Sequence, residues 1–282
     1  MAAPFTPPTV VVGVDGSPAA TRAAVWAVDE AVSRDIPLRL VGIAEPLDVG
    51  GDPAAPAGEA VRAAAAAVQA TGRAVKLETE VVAGAPTLTL LEESRSAAMV
   101  CVGAVGLRHL EHHRIGSTAT ALVASAHCPV AVVRCSDRSA DGGEGWVVVD
   151  LDDTPDSAAV LQFGVEEARL RGAPLRVLGA WQSRYTDVHD SRAVADGNRM
   201  VRAQLDRRLA QWKHNYPDLD VRPVAVHGSV LNWLARHSAD IQLVVLGARN
   251  ATAVAELLGP NGLAALHDTD CSVLVVDPQR LL

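Results

Sequence analysis

The sequence predicts an α/β fold built twice: two tandem, open, doubly wound parallel-sheet domains of five strands each. Three observations predict it. Apolar runs such as VVVGV (10–14) and LVVLG (243–247) lack polar alternation, as strands buried on both faces of a parallel sheet do. Helix-periodic segments separate these runs. The whole pattern also returns after about 140 residues: VVVGVDGSP (10–18) recurs as VVVDLDDTP (147–155), MVCVG (99–103) as LVVLG, and HCPVAVV (127–133) as DCSVLVV (270–276).

Taken in order, Val10–Val14 is the first strand. Ser17-Pro18 follows, a hydroxyl N-cap with proline at the first helical position, and Ala19 to about Arg34 reads as a helix. Leu38–Ala44 is the second strand. Gly58–Thr71 is an alanine-rich helix closed by Gly72. Lys76–Val82 alternates as a strand, Ala85–Ser96 is helical, and Met99–Gly103 is the fourth strand. Ser117–Ala126 is helical and Val130–Val133 completes the sheet. Strands of the second half are expected at Trp146–Leu151, Leu175–Trp181, Val221–Val226, Leu243–Leu246 and Ser272–Val276. Ser191–Tyr216 reads as an amphipathic helix. Asp196 and Asp206 interleave with its Arg192, Arg199, Arg202, Arg207 and Arg208, which suits a solvated face better than a nucleic-acid patch. Ser139–Gly145 has linker composition, so the expected domains are 1–138 and 146–282, joined by 139–145.

The 282 residues suffice for two cores, and a net charge of -8 argues against a broad basic face for nucleic acid. Only Lys76 and Lys213 occur as lysines, and neither stands in G-x-x-x-x-G-K-[ST], which excludes a Walker loop. No G-x-S-x-G elbow, H-E-x-x-H pair or G-x-G-x-x-G after the first strand is present. Serine hydrolase, zinc protease and dinucleotide dehydrogenase chemistry therefore lack support. The opening MAAPFTPP has neither the charged start nor the apolar run of a signal peptide. Apolar runs of about seven residues fall short of the ~20 that span a bilayer. Cys101, Cys128, Cys135 and Cys271 form no C-x-x-C, so buried thiols in a reducing cytoplasm are expected, with Cys135 the most accessible. Trp26, Trp146, Trp181, Trp212 and Trp233 are assigned to core or interface packing.

Two features stand at carboxyl ends of strands, where ligands bind in such sheets. One is Asp15-Gly16-Ser17. The other is Gly103-Ala104-Val105-Gly106, followed by the nine residues 107–115 and then Gly116-Ser117-Thr118 at a helix start. Glycines let backbone amides reach an anion, and a helix N-terminus offers unpaired N–H groups. G-x2-G-x9-G-S-T thus reads as a loop wrapping a polyphosphate, with Arg108 and Arg114 adding charge. His109, His112 and His113 have spacing that suits a metal on one helical face. Lacking a second ligand cluster nearby, they fit a solvated loop better, or partial positive charge near phosphates.

This pattern, with the Asp closing V-G-V-D-G-S, resembles the universal stress protein family in its tandem form, over almost the whole chain. The resemblance implies strand order 3-2-1-4-5 and ATP as ligand, with Mg2+ as an accompanying cation. By the same resemblance Asp15 would lie against the nucleoside or a metal-bound water, with Gly16 and Ser17 beside it. Ala44 and Val82 would line the adenine pocket. Gly103, Ala104, Gly106, Leu107 and Arg108 would lie near ribose and phosphates, and Gly116, Ser117 and Thr118 would hold the phosphates. It implies a cytoplasmic nucleotide sensor of the stress response, a homodimer, in which ATP orders the segment 103–117 and a protein partner reads the change. No catalytic residue is assigned, and at most slow ATP hydrolysis is expected.

The second half departs from the motif. Asp152 keeps the acid, but Asp153 replaces Gly16 and Asp150 replaces Gly13. Gly247 is retained, Asn250 stands for the second glycine, and Gly259-Pro260-Asn261-Gly262 has no Ser or Thr. Proline removes an amide donor, and added carboxylates repel phosphate. The second half is expected to bind nucleotide poorly or not at all. Two other readings remain at this point. One is an ATP-using enzyme with its acidic groups at Asp152 and Asp153. The other is a non-nucleotide dimerisation module that pairs through Val130–Val133 and Ser272–Val276 as open edges.

Overall fold

A computed structural model describes residues 8–45, 54–106, 116–134, 145–154, 157–183, 191–259, 262 and 271–277. The chain divides into two compact units, one containing the described residues up to Arg134 and the other those from Gly145. Of the expected linker only Gly145 is among them, and Cys135 lies outside them.

The first unit comprises β1 (Val10–Val14), α1 (Pro18–Arg34), β2 (Leu38–Ala44), α2 (Ala54–Ala70), β3 (Leu77–Ala83), α3 (Pro86–Glu93), β4 (Met99–Gly103), α4 (Ser117–Ser125) and β5 (Val130–Val133). Every pairing is parallel, and the strands run β3-β2-β1-β4-β5, which is the order 3-2-1-4-5. Val10, Val11, Val12 and Val14 of β1 are buried, as the unbroken apolar run requires of a central strand. α1 presents Ala20, Ala23, Ala24, Ala27 and Ala31 as its buried face, and these small side chains let the helix lie close to the sheet. Its start is fixed by Ser17, whose backbone is extended and whose Oγ accepts from the Ala20 amide at 3.1 Å. Ser17 is almost fully buried, so water does not replace that bond. Ser17→Ala is expected to cost about 1 kcal/mol, read as a lower urea midpoint for the first unit.

Two elements of the first unit differ most from the sequence reading. α2 begins at Ala54 rather than Gly58, because Pro56 falls in the first turn, where its missing N–H would have had no helical partner. β3, at one end of the strand order, spans Leu77–Ala83 rather than Lys76–Val82 and is largely exposed. Arg39 on β2 reaches Glu80 of β3 and lies 2.8 Å from Glu93.

The second unit repeats the plan. It comprises β6 (Trp146–Asp150), α5 (Ser157–Leu170), β7 (Leu175–Trp181), α6 (Ser191–Asn215), β8 (Val221–His227), α7 (Val230–Arg236), a short 3-10 turn (Ser238–Asp240), β9 (Ile241–Gly247), α8 (Ala251–Leu258) and β10 (Ser272–Val276). Its strands run β8-β7-β6-β9-β10, again all parallel. The repetition extends to side chains. Buried Glu30 pairs with Arg34 one turn on in α1, and buried Glu167 of α5 pairs with Arg171 just past that helix. Among the described residues no helix is long and apolar enough to cross a membrane. Cys101, Cys128 and Cys271 are buried, and burial pushes the Cys128 thiol up to about 12.

Candidate functional site

Above the carboxyl ends of β1 and β4 lies a cavity of about 520 Å³. The β1–α1 turn supplies one wall. Asp15 Oδ1 accepts from the Ser17 amide at 2.9 Å, a local turn that holds the exposed carboxylate over the sheet. The β4 turn supplies the opposite wall. A Cβ on Gly106 would stand 2.7 Å from Asp15 Oδ2, so the second glycine of the motif lets the acid that closes β1 sit against the β4 turn. A Cβ on Gly103 would stand 2.6 Å from the Ala19 carbonyl carbon and 2.8 Å from the Ala20 nitrogen. The first glycine is where β4 meets the start of α1 backbone to backbone.

α4 closes the cavity. Its N-cap is Gly116, which has no side chain to accept from the first-turn amides, and the Gly116 amide itself bonds to Ala104 O at 3.0 Å. Gly116, Ser117 and Thr118 all line the cavity, and the Thr118 hydroxyl accepts from Thr87 on α3 at 3.4 Å. The helix thus points uncapped donors and two hydroxyls at a space flanked by glycines.

Asp15, Ser17, Gly103, Gly106, Gly116, Ser117 and Thr118 are brought together around this cavity; Gly16, Ala44, Val82 and Ala104 are not among its walls. Ala44, on the same face of β2 as Gly42, is buried toward α2, while its neighbours Ile43 and Glu45 reach the cavity. Beyond β3, the start of α3 supplies Ala85, Pro86 and Thr87. The Ser17 hydroxyl is already engaged as the α1 cap. Leu107, Arg108, His109, His112, His113 and Arg114 lie outside the described residues. Sequence reasoning missed Glu45, Thr87 and the Pro56–Ala57 turn. Thr87 follows a proline at a helix start and was legible as a position facing the strand ends; Glu45 carried no local signal.

The second unit builds the same region differently. Asp152 Oδ1 accepts from both the amide and the hydroxyl of Thr154, at 3.1 and 2.6 Å, so the acid-centred turn persists. Asp153 is exposed and lies 3.7 Å from Arg208. A Cβ on Gly247 would meet only Val160 Cγ2, at 3.3 Å, a tight contact with a side chain in place of the backbone approach at Gly103. Asn250 is the N-cap of α8 and accepts from Ala253 at 3.1 Å. Its Nδ2 donates to Asp150 Oδ2 at 3.1 Å. Gly259, read as a helix start, follows α8 as its C-cap, beside carbonyls rather than amides. Pro260 and Asn261 lie outside the described residues. Burial, together with the nearby Asp152 carboxylate, pushes the Asp150 carboxyl up to about 6, against the Asn250 bond that lowers it. Among the described residues no group of three or more His, Cys, Asp or Glu is arranged to hold a metal ion.

The profile of the Universal stress protein family matches the chain twice, over residues 8–134 and 146–277. Universal stress protein Rv2028c of Mycobacterium tuberculosis is 45% identical over 282 residues, covering 98% of each chain. Universal stress protein Rv2624c of the same organism is 40% identical over 272 residues, covering 95% of this chain and 96% of the relative. The crystal structure of a universal stress protein from Archaeoglobus fulgidus superimposes with a TM-score of 0.66 at 14% identity, over 95% of this chain and 96% of that one, a likeness of fold. With two matched copies and relatives this similar along their whole length, the chain belongs to the universal stress protein family, in tandem form.

Proposed function

We propose that the first unit binds an adenine nucleotide, ATP with Mg2+, and that the protein works as a nucleotide-responsive regulator in the stress response rather than as an enzyme. The observation that carries this reading is the convergence on one cavity of Gly103, Gly106 and the uncapped start of α4. Unpaired amides at a helix start favour anions, and the glycines leave room for phosphate against backbone. Asp15 and Glu45 border the same cavity and would repel a bare triphosphate; a divalent cation offsets that charge. Nucleotide occupancy shifts a conformational equilibrium of the first unit, and a protein partner or a second copy of the chain reads its state. The second unit, with Asn250 and Asp150 in place of two glycines, holds nucleotide weakly or not at all.

The test is the amount and identity of nucleotide retained by the purified chain and by an Asp15→Ala/Gly116→Val variant. The cavity side of Gly116 is open, the nearest atom to an added Cβ being the Gly106 nitrogen at 3.9 Å. Valine there fills phosphate space without displacing the fold. One ATP per chain in the natural sequence, and at least tenfold weaker binding in the variant with its far-UV circular dichroism unchanged, is expected. Full retention by the variant refutes the assignment.

A further inference from the structure

The two copies can be aligned through their packing as well as their sequence. Leu38–Ala44 (LRLVGIA) corresponds to Leu175–Trp181 (LRVLGAW), so Ala44 becomes Trp181. Both residues end the second strand of their unit. They hold the same register with the third, where Ala44 pairs with Ala83 and Trp181 with His227. A Cβ on Gly42 would stand 2.7 Å from Val61 of α2, and a Cβ on Gly179 would stand 2.8 Å from Val201 of α6. One helical turn earlier, Ala57 therefore corresponds to Gly197. In the first unit Ala57, together with Ile43, Glu45 and Pro56, lines the part of the cavity beyond β2.

In the second unit that place is filled. The Trp181 indole Nε1 donates to Asn198 Oδ1 at 2.8 Å. The His227 ring lies against the indole, centroids 4.6 Å apart. Ser183 Oγ is 3.0 Å from His227 Nε2 and fixes that ring in turn. A Cβ on Gly197 would overlap the six-membered ring of the indole, so α6 closes on it only because that residue is glycine. A flat heteroaromatic ring with one N–H donated to an amide oxygen and an aromatic neighbour are the contacts an adenine base would take, with its exocyclic amine as the donor.

We infer that Trp181 is a built-in occupant of the second unit's nucleobase position and the residue that limits the chain to one nucleoside site. This rests on the reading that the first cavity is a nucleotide site, which defines the base position. The loss of binding in the second unit is then steric at the base end, and separate from the changes at Asp150 and Asn250 on the phosphate side.

Equilibrium dialysis with adenosine tests it on the full-length protein, using the natural sequence, Trp181→Ala and Trp181→Phe. Adenosine is chosen because it does not depend on the altered phosphate side. Trp181→Ala is expected to bind one more adenosine per chain than the natural sequence, with indole competing for the added site. Trp181→Phe, which keeps a ring in place, is expected to add none. Far-UV circular dichroism checks the fold; if the alanine variant is unfolded, Trp181→Val carries the same count. No added site in a folded alanine or valine variant overturns the inference. The increment is its own measure: a natural sequence that binds no adenosine would refute the first-unit reading, while a gain of one on mutation would still support the role of Trp181.

Discussion

Asp150→Asn is expected to stabilise the second unit by about 2 kcal/mol at pH 7.5 and to give no stabilisation at pH 4. Asp150 is 5% exposed at the end of β6, and burial raises its carboxyl from 3.8 to about 6. Asp152 adds like charge, Glu256 a smaller amount, and only the Asn250 amide works in the other direction. Because the folded-state value is the higher one, the unfolded chain releases its proton first as pH rises. Stability from this residue is complete below about pH 4, falls between about pH 4 and 6, and stays low above that. The gap corresponds to about 3 kcal/mol at 1.36 kcal/mol per pH unit. Asparagine keeps an oxygen for Asn250 Nδ2 and never carries the charge; its own amide hydrogens offset about 1 kcal/mol if they find no acceptor. Urea unfolding of both proteins at the two pH values measures the difference, and the remaining carboxylates cancel in it. Four of the five tryptophans, Trp146, Trp181, Trp212 and Trp233, lie in the second unit, so fluorescence follows its unfolding. An equal effect at pH 4 and 7.5 would defeat the argument.

The same residue shows how far the sequence could be read. Apolar runs located the central strands of both units because burial on two faces leaves a signal within five residues. Ser17-Pro18 announced the start of α1 because capping is local. Asp150, by contrast, reads from sequence as a charge that would repel phosphate. Its partner Asn250 lies one hundred residues away, and only folding shows that the pair is an internal hydrogen bond. Trp181 is the stronger case. As one apolar residue at a strand end it reads as ordinary packing, while Gly197, Asn198 and His227, which give it a specific seat, come from two later elements. By analogy with the first half the stretch between Asn250 and Gly259 reads as a loop, whereas Asn250 caps α8 there.

Gly103→Ala is expected to destabilise the first unit by about 3 kcal/mol and to abolish nucleotide binding, whereas Gly247→Ala in the second is expected to cost less than about 1 kcal/mol. The two glycines hold the same place in the repeat, so propensity and strand position are matched. What differs is the neighbour. At Gly103 the added methyl meets backbone, with Ala19 C at 2.6 Å and Ala20 N at 2.8 Å, and no rotamer change removes the overlap. α1 must move off β4, loosening the seats of Ala20, Ala23 and Ala24 in the core. The same movement shifts Ser17 and, through its amide, the Asp15 carboxylate that faces Gly106. Stability and binding therefore fail together at this position, unlike at Gly116, where binding alone is lost. At Gly247 the methyl meets Val160 Cγ2 at 3.3 Å, and a valine side chain gives by a few tenths of an ångström at small cost. Calorimetric unfolding with and without ATP separates the outcomes. Equal destabilisation by the two alanines would mean that the close approach of α1 to β4 is not what holds this cavity in shape.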